Sequence, residues 1–319
     1  MWFPASGYGC RPMSGHGNRA IIAAFFANLG IAIAKFVGFL FTSSASMLAE
    51  SVHSLADTGN QGLLLLGGRR SRRRPTPRHP FGYGRERYFW AFVVAVVLFT
   101  LGAVFAIVEG FEKIRHPHEL ESPGWALGIL GVAIVLEGLS FRTALQEANA
   151  VRGDASLVTF IRRAKAPEIP VVLLEDTGAL LGLVVAFTAV VVATVTDNAM
   201  WDGYGTLTIG ILLGVIAIIL CIEMKSLLIG ESAAPKSEAA IRDAIEAAPH
   251  VERLIHLRTE HLGPEELLVA AKVAFEDSLT FPQLADCVND LETAVRSAVP
   301  EARVIYVEPD VFRPAAASA

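Results

Sequence analysis

Ser51-Val-His53-Ser-Leu-Ala-Asp57-Thr-Gly-Asn60-Gln61 lies inside an otherwise hydrophobic block, Ser46–Gly67. His53 and Asp57 are four residues apart, so on a helix they share one face, one turn above the other. Asn60 continues that face, and Glu50 precedes His53 at three-residue spacing. Ionisable groups at membrane depth are costly and point to a polar pathway or a partner. An imidazole and a carboxylate converging on one spot suit a divalent transition metal, zinc above all. The same spacing also suits a buried hydrogen-bonding pair that joins two helices.

The block is one of six. Of 319 residues, 53% are hydrophobic and 18% charged, with a mean hydropathy of +0.47. The apolar residues come in runs too long for a soluble core, which shows shorter periodic patches. A bilayer crossing takes about 20 helical residues. Blocks of that length run Ala20–Phe41, Ser46–Gly67, Tyr88–Phe111, Gly124–Leu145, Ile169–Thr194 and Gly203–Ile229. Closely spaced glycines, as in Gly178–Gly182, favour tight helix contacts in lipid. Cys10, Cys221 and Cys287 form no CxxC pair, which argues against a disulfide framework or a thiolate zinc finger. Residues 1–18 read as a disordered tail with no layout of a cleaved signal.

Charge orients the spans. Between spans two and three lie Arg69, Arg70, Arg72, Arg73, Arg74, Arg78, Arg85 and Arg87, and between spans four and five Arg152, Arg162, Arg163 and Lys165. By the positive-inside rule both termini are cytoplasmic. The place of the arginine run between two spans favours topology, with anionic lipid contact, over nucleic-acid binding. Asp57 then lies about 10 residues from the inner end of span two, roughly 15 Å along the helix, and Asp176 about eight residues from the inner end of span five, roughly 12 Å. Two carboxylates from different helices reach a similar depth. Against this, Glu175 and Asp176 could simply be acids of a helix N-terminal turn, and Pro170 favours that view. Glu137 is central in span four; Glu109 and Glu223 lie near span ends, and Lys35 can snorkel outward while Asn28 shares its span. The remaining histidines fall mostly in loops or the soluble region, where surface positions are expected.

Residues 232–312 change character. Ser237 could cap a helix carrying Ala240, Ile241, Ala244, Ile245 and Ala248. Val251–Glu260, Leu267–Phe275 and Arg303–Glu308 read as strands, with a second helix through Leu284, Val288, Leu291, Val295 and Val299. The expected fold is a six-helix all-α transmembrane bundle (19–230), a C-terminal cytoplasmic α+β domain of ferredoxin-like type (231–312), and a short tail (313–319).

His53-Ser-Leu-Ala-Asp57, the loop His79-Pro-Phe-Gly-Tyr-Gly-Arg85 running into Glu86-Arg87-Tyr88-Phe89-Trp90, and this layout resemble the cation diffusion facilitator family over residues 19–310. Leu174-Glu175-Asp176-Thr177 and Ile305-Tyr-Val-Glu-Pro309 resemble a branch that includes mitochondrial-type zinc transporters and bacterial relatives. The resemblance implies a homodimer, joined through the cytoplasmic domain, that exchanges cytoplasmic Zn²⁺ or a related ion for protons. It implies a tetrahedral transport site from HxxxD or DxxxD on span two and HxxxD on span five. His53 and Asp57 match the first pair and Asp176 the second aspartate. Val172 stands where the second histidine belongs, and Glu175 or a water would supply the fourth ligand. Such a harder donor set admits Mn²⁺ or Fe²⁺ more readily. Tyr83 replaces a ligand histidine of the loop, leaving His79, and Ile255 and Tyr306 replace histidines of the cytoplasmic domain, where Glu308 remains and His256 and His261 lie nearby. No full binuclear cluster is expected there, and no resident cofactor.

The expected activity is export of Zn²⁺ from the cytoplasm by alternating access and proton antiport, in a multi-pass protein of a bacterial inner membrane. Metal displaces protons from its ligands, which couples the two flows. Without a Walker motif, HExxH or GxSxG, an ATPase or intramembrane hydrolase is disfavoured; a non-transporting membrane sensor or scaffold is the other reading.

Overall fold

The computed structural model describes residues 25–26, 29–30, 32–33, 36–37, 40, 45–117, 123–153 and 155–313. The tail 1–18, most of the first expected span, Asn28, Lys35 and nearly all of 313–319 therefore lie outside the described residues. The chain forms two compact units, Met1–Leu66 and Gly67–Ala319.

Helix α1 is Ala45–Ser71, 27 residues. It ends in Arg69 and Arg70, cations that suit a helix C-terminus. The next helices are α2 (Glu86–Arg115), α3 (Pro123–Arg152), the short α4 (Leu157–Arg163), α5 (Glu168–Thr196) and α6 (Met200–Ile229). Among the described residues α2, α3, α5 and α6 are long and apolar enough to cross a membrane. Val104, Phe105, Val108 and Phe111 on α2, and Ile211, Val215, Ile218 and Ile222 on α6, form exposed stripes at helical spacing. Water would penalise such stripes, whereas lipid is their natural solvent. On other faces the helices touch closely. A Cβ on Gly110 would lie 2.6 Å from the Leu207 nitrogen, and one on Gly203 2.9 Å from the Ile114 nitrogen, so α2 and α6 meet where only glycine fits. At that end Lys113 bridges Glu109 (3.4 Å) and Asp202 (2.9 Å). A π-helical stretch, Val94–Phe99, interrupts α2.

The helices outrun their apolar blocks, because polar residues at the ends continue the hydrogen-bonded ladder. Ser156 caps α4 through the Thr159 N–H, an element the hydropathy pattern did not reveal.

The C-terminal region follows the expected order: α7 (Pro235–Glu246), β1 (Val251–Gly263), β2 (Glu266–Phe275), α8 (Phe281–Ala298) and β3 (Ala302–Pro309). The sheet order is β1-β2-β3, with β1 and β2 antiparallel and β2 and β3 parallel through the α8 crossover. Alternation on β2 turns Leu267, Val269, Ala271 and Val273 inward against Ile241 and Ile245 of α7 and Leu291 and Val295 of α8. The caps differ from expectation. Pro235, not Ser237, starts α7, its fixed φ pre-set for the first helical position. Thr280 and Gln283 form a reciprocal capping box at α8.

Candidate metal site

Helical backbone runs through His53 and Asp57, as the spacing requires; their side chains, like that of Glu50, lie outside the described residues. The next turn is described, and there Thr58, Asn60 and Gln61 are buried. Polar side chains buried on a membrane-length helix need partners within the protein, and they mark this turn as polar.

The second half of the candidate site is on α5. Its first helical residue is Glu168, with Pro170 still inside the first turn, where a missing N–H is harmless. Glu168, buried, plays the helix-end role: Arg87 Nε donates to its Oε1 at 2.5 Å. Glu175 and Asp176 stand seven and eight residues further in, about 12 Å up the axis for Asp176 at 1.5 Å per residue. They are not N-terminal-turn acids. Asp176 is half-buried, and its Oδ2 accepts a hydrogen bond from Ser140 Oγ of α3 at 3.0 Å. Glu137 lies one turn from Ser140 on α3 and is half-buried. Glu175 is half-buried as well.

Val172, one turn before Asp176, packs against Ala144, Ala148 and Leu173 with Phe141 and Leu145. The place of the second histidine is therefore part of an apolar seam between α3 and α5. An imidazole there would have to displace packed carbon. Among the described residues no three His, Cys, Asp or Glu side chains gather into a metal-binding group.

The loop histidine is used structurally. His79 lies against the Tyr83 ring, centroids 4.7 Å apart, and Thr76 Oγ1 lies 3.2 Å from the Tyr83 hydroxyl. In the sheet domain, His256 Nε2 accepts from Arg258 Nε at 2.8 Å, His250 meets Glu276 at 3.0 Å, and Glu308 is held by Lys272 at 3.0 Å. Ile255 is half-buried and Tyr306 exposed.

His261 departs from the surface position expected of it: only 4% of it is exposed. Its Nδ1 lies 3.3 Å from the Gly263 carbonyl. Burial and the nearby Lys165 charge push its pKa down; that hydrogen bond, Glu301 and Glu231 act the other way. It is buried because the β1–β2 turn docks under the loop before α2. A Cβ on Gly84 would lie 2.5 Å from the Leu262 carbonyl oxygen. Ion pairs surround this junction. Arg85 pairs with Glu260, Arg87 reaches Glu265 at 3.8 Å besides Glu168, and Lys165 meets Glu231 at 2.5 Å. Burial disfavours charge on Glu231, but hydrogen bonds from Lys165 and Ser226 and the Lys165 charge outweigh it and hold its pKa below the ordinary carboxylate value. Sequence reading missed these pairs, because the partners of Arg85 and Arg87 in the sheet domain lie 175 and 178 positions away.

The cation efflux transmembrane domain profile matches residues 21–229. The chain is 34% identical over 244 residues to the mitochondrial proton-coupled zinc antiporter of Mus musculus, covering 76% of this chain and 43% of that protein. It is 30% identical over 266 residues to metal tolerance protein C4 of Arabidopsis thaliana, covering 83% and 58%. Over 123 residues it is 32% identical to the zinc transporter ZitB of Escherichia coli strain K12, 39% of each. The match spans less than two thirds of the length of each relative.

Proposed function

The chain belongs to the cation efflux family, the cation diffusion facilitators, and on that premise we propose that it exports Zn²⁺ from the cytoplasm in exchange for protons. The observation that carries the proposal is Asp176, a half-buried carboxylate eight residues inside a membrane-length helix and oriented by a hydroxyl. Such a group is costly unless it serves a cation or proton pathway. In this reading His53 and Asp57 of α1 meet Asp176 around one ion, with Glu175 or a water as fourth ligand. The names of relatives from Mus musculus and Escherichia coli support zinc as cargo, and the first supports proton coupling. Val172 removes one imidazole from the donor set, so Mn²⁺ and Fe²⁺ are the alternative cargo.

Transport proceeds by alternating access. The site loads from the cytoplasm, where metal displaces protons from its ligands, and reopens outward, where protons displace metal. Ser140 holds the Asp176 carboxylate in place through both steps. The frame of this reading is six spans, a ferredoxin-like cytoplasmic domain through which two copies associate, both termini cytoplasmic, and a bacterial inner membrane. The reading is a transporter, not an enzyme.

Metal flux into proteoliposomes, with and without a pH gradient, tests it. Wild type should move Zn²⁺ faster with the gradient, and Asp57→Ala and Asp176→Ala should be silent. Equal flux in all three would remove the site; no flux in wild type would favour a non-transporting sensor.

A further inference from the structure

The segment between α1 and α2 carries more positive charge than the fold uses. Residues 69–87 hold eight arginines and one glutamate, in a chain whose formal net charge is −5. Arg70 reaches Glu86 at 3.9 Å and covers the Trp90 ring at 5.2 Å, Arg85 pairs with Glu260, and Arg87 with Glu168. Arg69, Arg73, Arg74 and Arg78 are exposed and reach no carboxylate among the described residues. Arg72 is exposed beside them.

These guanidiniums do not hang on a floppy loop. Pro75, Pro77 and Pro80 restrict the backbone. Thr76 and His79 exchange backbone hydrogen bonds of 3.1 and 2.9 Å, and Tyr83 holds both, through the Thr76 hydroxyl and the His79 ring. The turn that carries Arg78 is thus pinned, and so is the chain that follows Arg72–Arg74. Little backbone ordering entropy remains to oppose a ligand, so the cost is confined to the arginine side chains. The surroundings name the ligand. Leu63–Leu66 immediately precede the run, and exposed Phe89 and half-buried Trp90 follow it at the start of α2. Aromatic rings at the end of a membrane-length helix belong at headgroup level. Unpaired guanidiniums at that level face phosphate, which they bind in a two-pronged manner.

We propose that Arg69, Arg73, Arg74 and Arg78, with Arg72, form a docking surface for the phosphates of anionic phospholipids at the inner membrane face. The proposal rests on α1 and α2 crossing the membrane, as in the transporter reading; it does not depend on metal movement.

Native mass spectrometry of the purified full chain in neutral detergent tests it, with phosphatidylglycerol and phosphatidylcholine offered at equal concentration. Wild type should retain the anionic lipid about tenfold more than the zwitterionic one, and R69Q/R73Q/R74Q/R78Q should retain both alike. The quadruple lysine variant guards against misfolding, and should keep charge attraction while losing part of the preference. Melting of wild type gives an independent reading: phosphatidylglycerol should raise Tm, and inorganic phosphate or an RNA oligonucleotide at equal charge should not. Equal retention of both lipids by wild type, an undiminished preference in the glutamine variant, or equal stabilisation by phosphate or RNA would overturn the proposal. Loss of zinc flux with lipid preference intact would count against the transporter reading alone.

Discussion

Glu168 and Asp176 stand eight residues apart on α5 and are held in opposite ways. Glu168 is closed off in the junction, buried against the Arg87 guanidinium at 2.5 Å. Asp176 is half-buried and takes a neutral hydroxyl, Ser140, at 3.0 Å. A carboxylate locked to a fixed cation has its charge neutralised permanently and serves architecture. A carboxylate oriented by a hydroxyl is not neutralised by that contact, and on the proposed reading it serves a metal ion and a proton by turns. In the transport reading proposed above, the same helix carries a structural acid at its foot and a transport acid two turns above.

Exchanging the two roles should break the comparison most visibly. Asp176→Ala should reduce zinc flux in proteoliposomes about a hundredfold or more, as expected when a ligand of a transported ion is lost, while Tm stays within a few degrees. Glu168→Gln should do the reverse. It leaves the largely covered Arg87 with only the longer contact to Glu265 (3.8 Å), costing about 2 kcal/mol, between the surface and buried cases, and Tm should fall while measurable flux remains. A flux loss as complete as that of Asp176→Ala would erase the distinction.

The junction should also respond to pH. The folded His261 pKa lies below the ordinary imidazole value of 6.5, through burial and then Lys165. As pH falls through 6.5 the unfolded chain takes up the proton first, so stability is full above 6.5 and declines toward the folded pKa. Melting of the full chain should show a lower Tm at pH 5.5 than at 7.5, and His261→Gln should shrink that difference; the slope from one group is at most about 1.4 kcal/mol per pH unit. The smallest effect is expected of Ser140→Ala. Removing one hydroxyl from Asp176 costs about 1 kcal/mol of orientation, a severalfold fall in flux with Tm unchanged.

The four long apolar helices from Glu86 to Ile229 and the αββαβ order of the C-terminal region were legible because apolar runs and alternation are one-dimensional signals. The place of Asp176 well inside a long apolar helix was legible for the same reason: an acid inside such a run stands out. Ser140 did not, since a hydroxyl in an apolar helix carries no mark of the partner it will meet 36 positions away. Glu168 looked like loop, because hydropathy ends a helix where carbon ends, whereas the backbone ladder continues until its caps. His261 looked exposed at a strand end, and only the docking of Leu262 under Gly84 buries it. Ser237 looked like a cap because serine accepts from backbone N–H groups, but Pro235 had already fixed the first turn.

Equilibrium Zn²⁺ binding to the purified full chain, with proton release recorded alongside, tests the division of labour between the two acids most directly. Asp176→Asn should abolish the metal-linked proton release and the site with it, while Glu168→Gln retains both. Unchanged Zn²⁺ affinity and proton release in Asp176→Asn would contradict the account.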